Sequence, residues 1–170
     1  MSVPTRVLGI DPGLTATGYA VVEAGAGRPR ARATGVVRTA AGQDHAVRLA
    51  TLRTELASLV ERERPGVAAV ERVFFNVNVR TAMAVAQAAG VALVTAVEAG
   101  LEVATYTPTE VKLAVTGNGS APKGQVQAMV ARLLGLARPP SPADASDACA
   151  LALCHLARAR LTAAVAAASP

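Results

Sequence analysis

Asp11 and Glu71 each close an apolar run, and Asp144 and Asp147 stand three apart at the start of an alanine-rich segment. Val7-Leu8-Gly9-Ile10-Asp11 and Gly66-Val67-Ala68-Ala69-Val70-Glu71 are continuously apolar, as strands covered on both faces are. A carboxylate desolvated at such a strand end costs on the order of several kcal/mol unless a positive group compensates. Residues three apart on a helix share a face, so Asp144 and Asp147 can point together, and the first helical turns favour negative charge. The chemistry this set suits is a divalent-metal site. Hard oxygen ligands match Mg²⁺ or Mn²⁺, and two such ions can clamp a phosphodiester for in-line attack by water.

Each acid also has an ordinary explanation. Asp11-Pro12-Gly13 is turn chemistry, Glu71 could open a solvated loop, and Asp144 could cap a helix after Pro139-Pro140-Ser141-Pro142. Asp147 is harder to place that way, because Ala145, Ala148, Cys149 and Ala150 surround it. The metal reading therefore rests on four coincident acids.

The elements that must position these acids follow from periodicity and punctuation. Strands are expected at Arg6 to Asp11, Thr17 to Glu23 and Ala31 to Arg38. A helix follows from Asp44 to Arg64, with Val47, Leu49, Leu52, Leu56, Leu59 and Val60 as its apolar stripe. After a Pro65-Gly66 break comes the strand ending at Glu71, then a helix from Val79 to Ala99 that is uncharged from Thr81 to Val97. One side of this helix should cover the sheet, and the other is free to meet a second subunit, with Ala86 and Gly90 permitting close packing. A strand at Glu102 to Tyr106 leads to helices at Pro108 to Thr116 and Pro122 to Leu136, divided by Gly117-Asn118-Gly119. The last helix is expected from Pro142 to Leu161. This order describes an α/β fold: a mixed sheet with helices on both faces. Residues 1–161 form one domain, and 162–170 form an alanine-rich tail expected to fray.

Composition narrows the class. The chain has 170 residues, enough for one domain with a sizeable core, and its net charge of +5 favours a polyanionic partner. Cys149 and Cys154, five apart, match no zinc or redox spacing and read as core residues of a reduced cytoplasmic protein. No signal-peptide pattern opens the chain, and the uncharged run from Thr81 to Val97 is short of a bilayer span, so no membrane is expected.

The order of Gly9-Ile10-Asp11-Pro12-Gly13, Val70-Glu71-Arg72-Val73-Phe74, Lys112-Leu113-Ala114-Val115-Thr116-Gly117 with Lys123-Gly124-Gln125-Val126-Gln127, and Ala143-Asp144-Ala145-Ser146-Asp147-Ala148 closely resembles the RuvC family of Holliday junction resolvases. The resemblance spans Arg6 to Arg158. It implies an RNase H-like fold with a five-stranded mixed sheet, a homodimer, and a crossover junction endodeoxyribonuclease that acts in recombination and repair. It also implies Mg²⁺ or Mn²⁺, two ions per site, paired symmetric nicks in four-way junction DNA that leave 5′-phosphate and 3′-hydroxyl ends, and branch-migration partners RuvA and RuvB. The family's catalytic acids fall on Asp11, Glu71, Asp144 and Asp147.

Binding residues add to this set. Lys112 and Lys123 are the two lysines among 17 basic residues, and both match family positions that contact DNA phosphates. Phe74 matches the family's stacking aromatic, with Phe75 beside it. Arg72, Asn76, Asn78 and Arg80 share that segment and are expected to line the DNA path. Arg28, Arg30, Arg32 and Arg38 fit the solvent face of an edge strand. An actin-like kinase also opens with a strand, an aspartate and a glycine turn, but 170 residues leave no room for its second lobe. A non-catalytic junction binder would keep the fold without needing four convergent acids.

Overall fold

Strand pairing brings acids 60 positions apart in sequence to one end of one sheet. In a computed structural model that describes residues 5–72 and 79–168, β1 (Thr5–Asp11), β2 (Ala16–Ala24) and β3 (Arg30–Arg38) form an antiparallel meander, with β4 (Val67–Glu71) and β5 (Glu102–Tyr106) parallel to β1. The spatial order is β3-β2-β1-β4-β5. Five helices complete the chain: α1 (His45–Glu63), α2 (Val79–Glu98), α3 (Pro108–Thr116), α4 (Lys123–Leu134) and α5 (Ala143–Ala168). This is the five-stranded mixed sheet of an RNase H-like fold.

Both faces of the sheet are covered, which is why β1 and β4 read as unbroken apolar runs. Leu8, Ile10, Val21, Ala68 and Val70 meet Leu52, Leu56, Leu59 and Val60 of α1 and Ala88, Ala92 and Ala96 of α2. On the other face Val7, Ala20, Val22 and Ala69 pack beneath α5, whose Ala148 to Cys154 are all buried, with α3 and α4 behind it. Each large aliphatic side chain buried this way contributes about 1.5–3 kcal/mol.

Local chemistry accounts for most helix ends. Asp44 caps α1 by accepting from the backbone N–H groups of Ala46 and Val47, and Arg64 ends it in the left-handed region at φ 50°. Thr107 and Glu110 form a reciprocal capping box on α3, Pro108 takes the first helical turn, and Gly117 closes the helix at φ 77°. Three details differ from the sequence expectation. Val47 is 49% exposed, because the buried stripe of α1 begins at Leu52. α4 ends at Leu134, where Gly135 caps it. α5 continues from Leu161 to Ala168 as exposed helix, since alanine has the highest helix propensity and no breaker intervenes.

α2 and α5 are both long and apolar enough to cross a membrane by composition, yet each buries one side on the sheet. The outer side of α2 exposes Val79, Met83, Val94 and Val97. β3 is an edge strand with Arg30, Arg32 and Arg38 exposed, as the alternating arginines predict. Cys149 and Cys154 are buried free thiols.

Candidate active site

The sheet register sets the first pair of acids. Ile10 and Val70 are partners across the parallel β1–β4 pair, so Asp11 and Glu71 follow them at the same level on adjacent strand ends. Side chains alternate along a strand, and Gly9 and Ala69 belong to the α5 side, so Asp11 and Glu71 face that side too.

Two glycines then let α5 approach closely enough to bring the second pair. A Cβ on Gly9 would overlap the carbonyl oxygen of Ala148, and one on Gly18 would overlap that of Asp144. Gly18 is the cross-strand partner of Asp11, so Asp144 lies over the strand beside Asp11. Glycine inside a strand is the sequence signal for such close backbone approach. Asp147 sits one helical turn further on.

Glu71 and Asp147 line a cleft of about 220 Å³ together with Lys112 and Lys123, over apolar walls from Pro108, Val111, Val126 and Ala150. Two larger clefts, of about 610 and 680 Å³, lie along the α1 and α2 side and contain none of the four acids. The smaller cleft is the one that gathers acids and lysines.

Burial and mutual charge both bear on the acids. Burial, then the charges of Glu71, Asp147 and Asp144, push the Asp11 carboxyl up to about 7, against a partial lowering by Lys123. Burial and Asp147 push Glu71 upward as well. Lys123 Nζ donates to Asp147 Oδ2 at 2.7 Å, which holds the ammonium above its ordinary range. Among the described residues no side-chain hydrogen bond or ion pair reaches Asp11, Glu71 or Asp144. Nor are any three His, Cys, Asp or Glu side chains close enough together to hold one ion as they stand. Asp147 is turned onto the lysine. The donor set nevertheless fits a hard divalent cation: four carboxylates, one compensating ammonium, and an Asp11 that is costly to ionise without more positive charge.

The remaining predicted residues divide into three groups. Lys112 and Lys123 reach the cleft. Arg72 is exposed just past β4; its backbone N–H donates to the Tyr106 carbonyl at 2.8 Å and its guanidinium to Thr105 Oγ1 at 3.2 Å. Arg80 is exposed in the first turn of α2, lining the larger cleft with Leu14, Arg48 and Met83. Phe74, Phe75, Asn76 and Asn78 lie outside the described residues. Sequence reasoning missed the positioning role of Gly9 and Gly18, and gave no role to His155. Its Nδ1 pairs with the Tyr106 hydroxyl at 2.8 Å.

The sequence model of the family described as crossover junction endodeoxyribonuclease RuvC matches residues 7–155. A crossover junction endodeoxyribonuclease RuvC of Streptomyces avermitilis is 54% identical over 91% of this chain and 88% of its own. The Moorella thermoacetica protein of that name is 54% identical over 88% and 89%. The solved structure of Thermus thermophilus RuvC in complex with a Holliday junction substrate superposes with a TM-score of 0.88 at 38% identity, covering 93% of this chain and 96% of that one. Sequence and fold agree: the chain belongs to the RuvC family of crossover junction endodeoxyribonucleases.

Proposed function

We propose that this resolvase cuts four-way junction DNA with Asp11, Glu71, Asp144 and Asp147 as the ligands of two divalent cations, Mg²⁺ or Mn²⁺. The observation that carries the reading is that strand register and the close approach of α5 bring these acids to one end of the sheet, where burial and then the neighbouring carboxylates raise Asp11 to about 7, beside a cleft holding two lysines. When bound, the cations supply an activated water and charge stabilisation for the departing 3′ oxygen.

The chain's own residues do the rest. The carboxylates are carried by β1, β4 and α5, core elements and not loops, so their backbone positions are held while the side chains turn onto the cations. Lys112 and Lys123 bind non-bridging phosphate oxygens and meet charge that grows on the phosphoryl group. Water adds to phosphorus and the P–O3′ bond breaks; one proton of the attacking water passes to solvent, and the 3′ oxygen takes a proton from solvent as it leaves as a hydroxyl. The products carry 5′-phosphate and 3′-hydroxyl ends.

Phe74 stacks on a base at the crossover, and Arg72, Asn76, Asn78 and Arg80 line the path of the strand. Paired nicking calls for two sites, and the exposed Val79, Met83, Val94 and Val97 of α2 support a homodimer. RuvA and RuvB are the proposed branch-migration partners, residues 1–161 the nuclease domain, and the cytoplasm the compartment. The products supply a direct test: DNA ligase alone should reseal the nicked arms. Ends that need prior phosphorylation or trimming would contradict the proposed bond cleavage.

A further inference from the structure

Lys123 occupies an unfavourable place for a helix. It is the first residue of α4, where the dipole repels cations, and its N-cap Pro122 offers no side-chain hydrogen bond. α4 would be better served there by an acid, so the lysine's placement is explained by what it meets across the cleft. Its ammonium touches one oxygen of Asp147 at 2.7 Å, with side-chain exposures of 59% and 29%. Among the described residues it is the one cation whose charge lowers both Asp11 and Glu71. A flexible four-carbon stem, exposed at its tip, can leave this contact without disturbing the helix. The cleft it lines also contains Lys112.

We propose that Lys123 is a tethered counter-ion that holds Asp147 until a divalent cation replaces it, and that its release couples cation loading to grip on DNA phosphate. The proposal rests on reading the four carboxylates as the cation site. An ammonium and a divalent cation compete for the same oxygen of Asp147, so Lys123 weakens cation binding to the DNA-free protein. A phosphate in the cleft offers the ammonium another partner, which frees Asp147. Cation and junction therefore strengthen each other's binding, by the same factor in either direction. The consequence is a nuclease that loads its cations preferentially on substrate.

Calorimetric titration of Mn²⁺ into the DNA-free protein tests this without reference to cleavage. Removing a partly exposed ion pair should tighten Mn²⁺ binding by Lys123→Met about two- to fivefold, whereas Lys123→Arg, which keeps the charge, should stay near wild type. Thermal unfolding gives a second reading: Lys123→Met should melt lower than wild type in EDTA and gain more from Mn²⁺. Junction affinity, measured by fluorescence anisotropy, should rise several-fold from EDTA to Ca²⁺ for the wild type, and this gain should shrink in Lys123→Met. Equal or weaker Mn²⁺ binding by Lys123→Met would overturn the proposal while leaving the four-carboxylate site standing. If Asp11→Asn binds Mn²⁺ as the wild type does, the site reading itself fails and takes the proposal with it.

Discussion

Two ion pairs anchor the two ends of the buried part of α5, and their lengths are nearly equal. Near its start Lys123 meets Asp147 at 2.7 Å; near its exit Arg158 meets Glu110 at 2.6 Å. Their surroundings differ. Glu110 also accepts from the Thr107 backbone N–H at 2.9 Å, and that bond, ahead of Arg158, pulls its carboxyl down to about 2. Arg158 also lies 5.6 Å from the centre of the Tyr106 ring, and Tyr106 in turn bonds His155. Every charge there has partners enough. At the other end one ammonium serves four carboxylates, and Asp11 is driven upward. The same bond length thus marks a satisfied helix joint in one place and an electrostatic deficit in the other. A perturbed, under-compensated cluster of this kind marks a candidate site, and a satisfied pair does not.

Breaking the acidic end should cost most. Asp147→Asn is expected to lower junction cleavage on the order of a thousandfold, since a lost ligand removes several kcal/mol of transition-state charge stabilisation. Junction binding, read by anisotropy, should stay within a few-fold of wild type.

The deficit also has a pH signature. An acid raised in the folded state binds more protons there than in the unfolded chain, so its contribution to stability falls as pH rises. For Asp11 the fall runs from its ordinary value of 3.8 to about 7. That span corresponds to on the order of 4 kcal/mol at most. Denaturant melts of the protein in EDTA should show stability declining across this window, and Asp11→Asn should flatten the decline. With Mn²⁺ present the slope should reverse, because the cation needs the ionised carboxylate.

Next comes the close approach that delivers Asp144 and Asp147. Gly9→Ala would force its methyl against the Ala148 carbonyl. The expected loss is about 1–3 kcal/mol of stability, together with a fall in cleavage larger than the fall in junction binding. Smallest is the satisfied joint: Arg158→Ala should cost about 1 kcal/mol or less in melts, as exposed pairs do, and leave cleavage near wild type.

Much of this frame can be read from residues alone. β5 and α3 begin and end where the chain announces them, because Pro108 sets a first turn, Thr107 with Glu110 closes a capping box, and Gly117 supplies the left-handed stop. Asp11 and Glu71 stand out because an acid ending a continuously apolar strand is rare without a purpose. The pairing of Lys123 with Asp147 was not legible, since it joins separate helices across 24 positions and no local rule links them. Nor was the Tyr106–His155 contact, which depends on how α5 lies over β5. The run of helix past Leu161 was also underestimated, because alanine's propensity outweighs the lack of anything to pack against.

The most direct test of the central claim is single-turnover cleavage of a synthetic mobile four-way junction in Mg²⁺, Mn²⁺ or EDTA, with wild type beside a folded Asp11→Asn protein. Paired nicks at symmetric positions on two strands, lost in EDTA and in the variant, are the predicted result. Cleavage by Asp11→Asn at the wild-type rate, or nicking that persists in EDTA, would contradict the assignment of these carboxylates to the cation site.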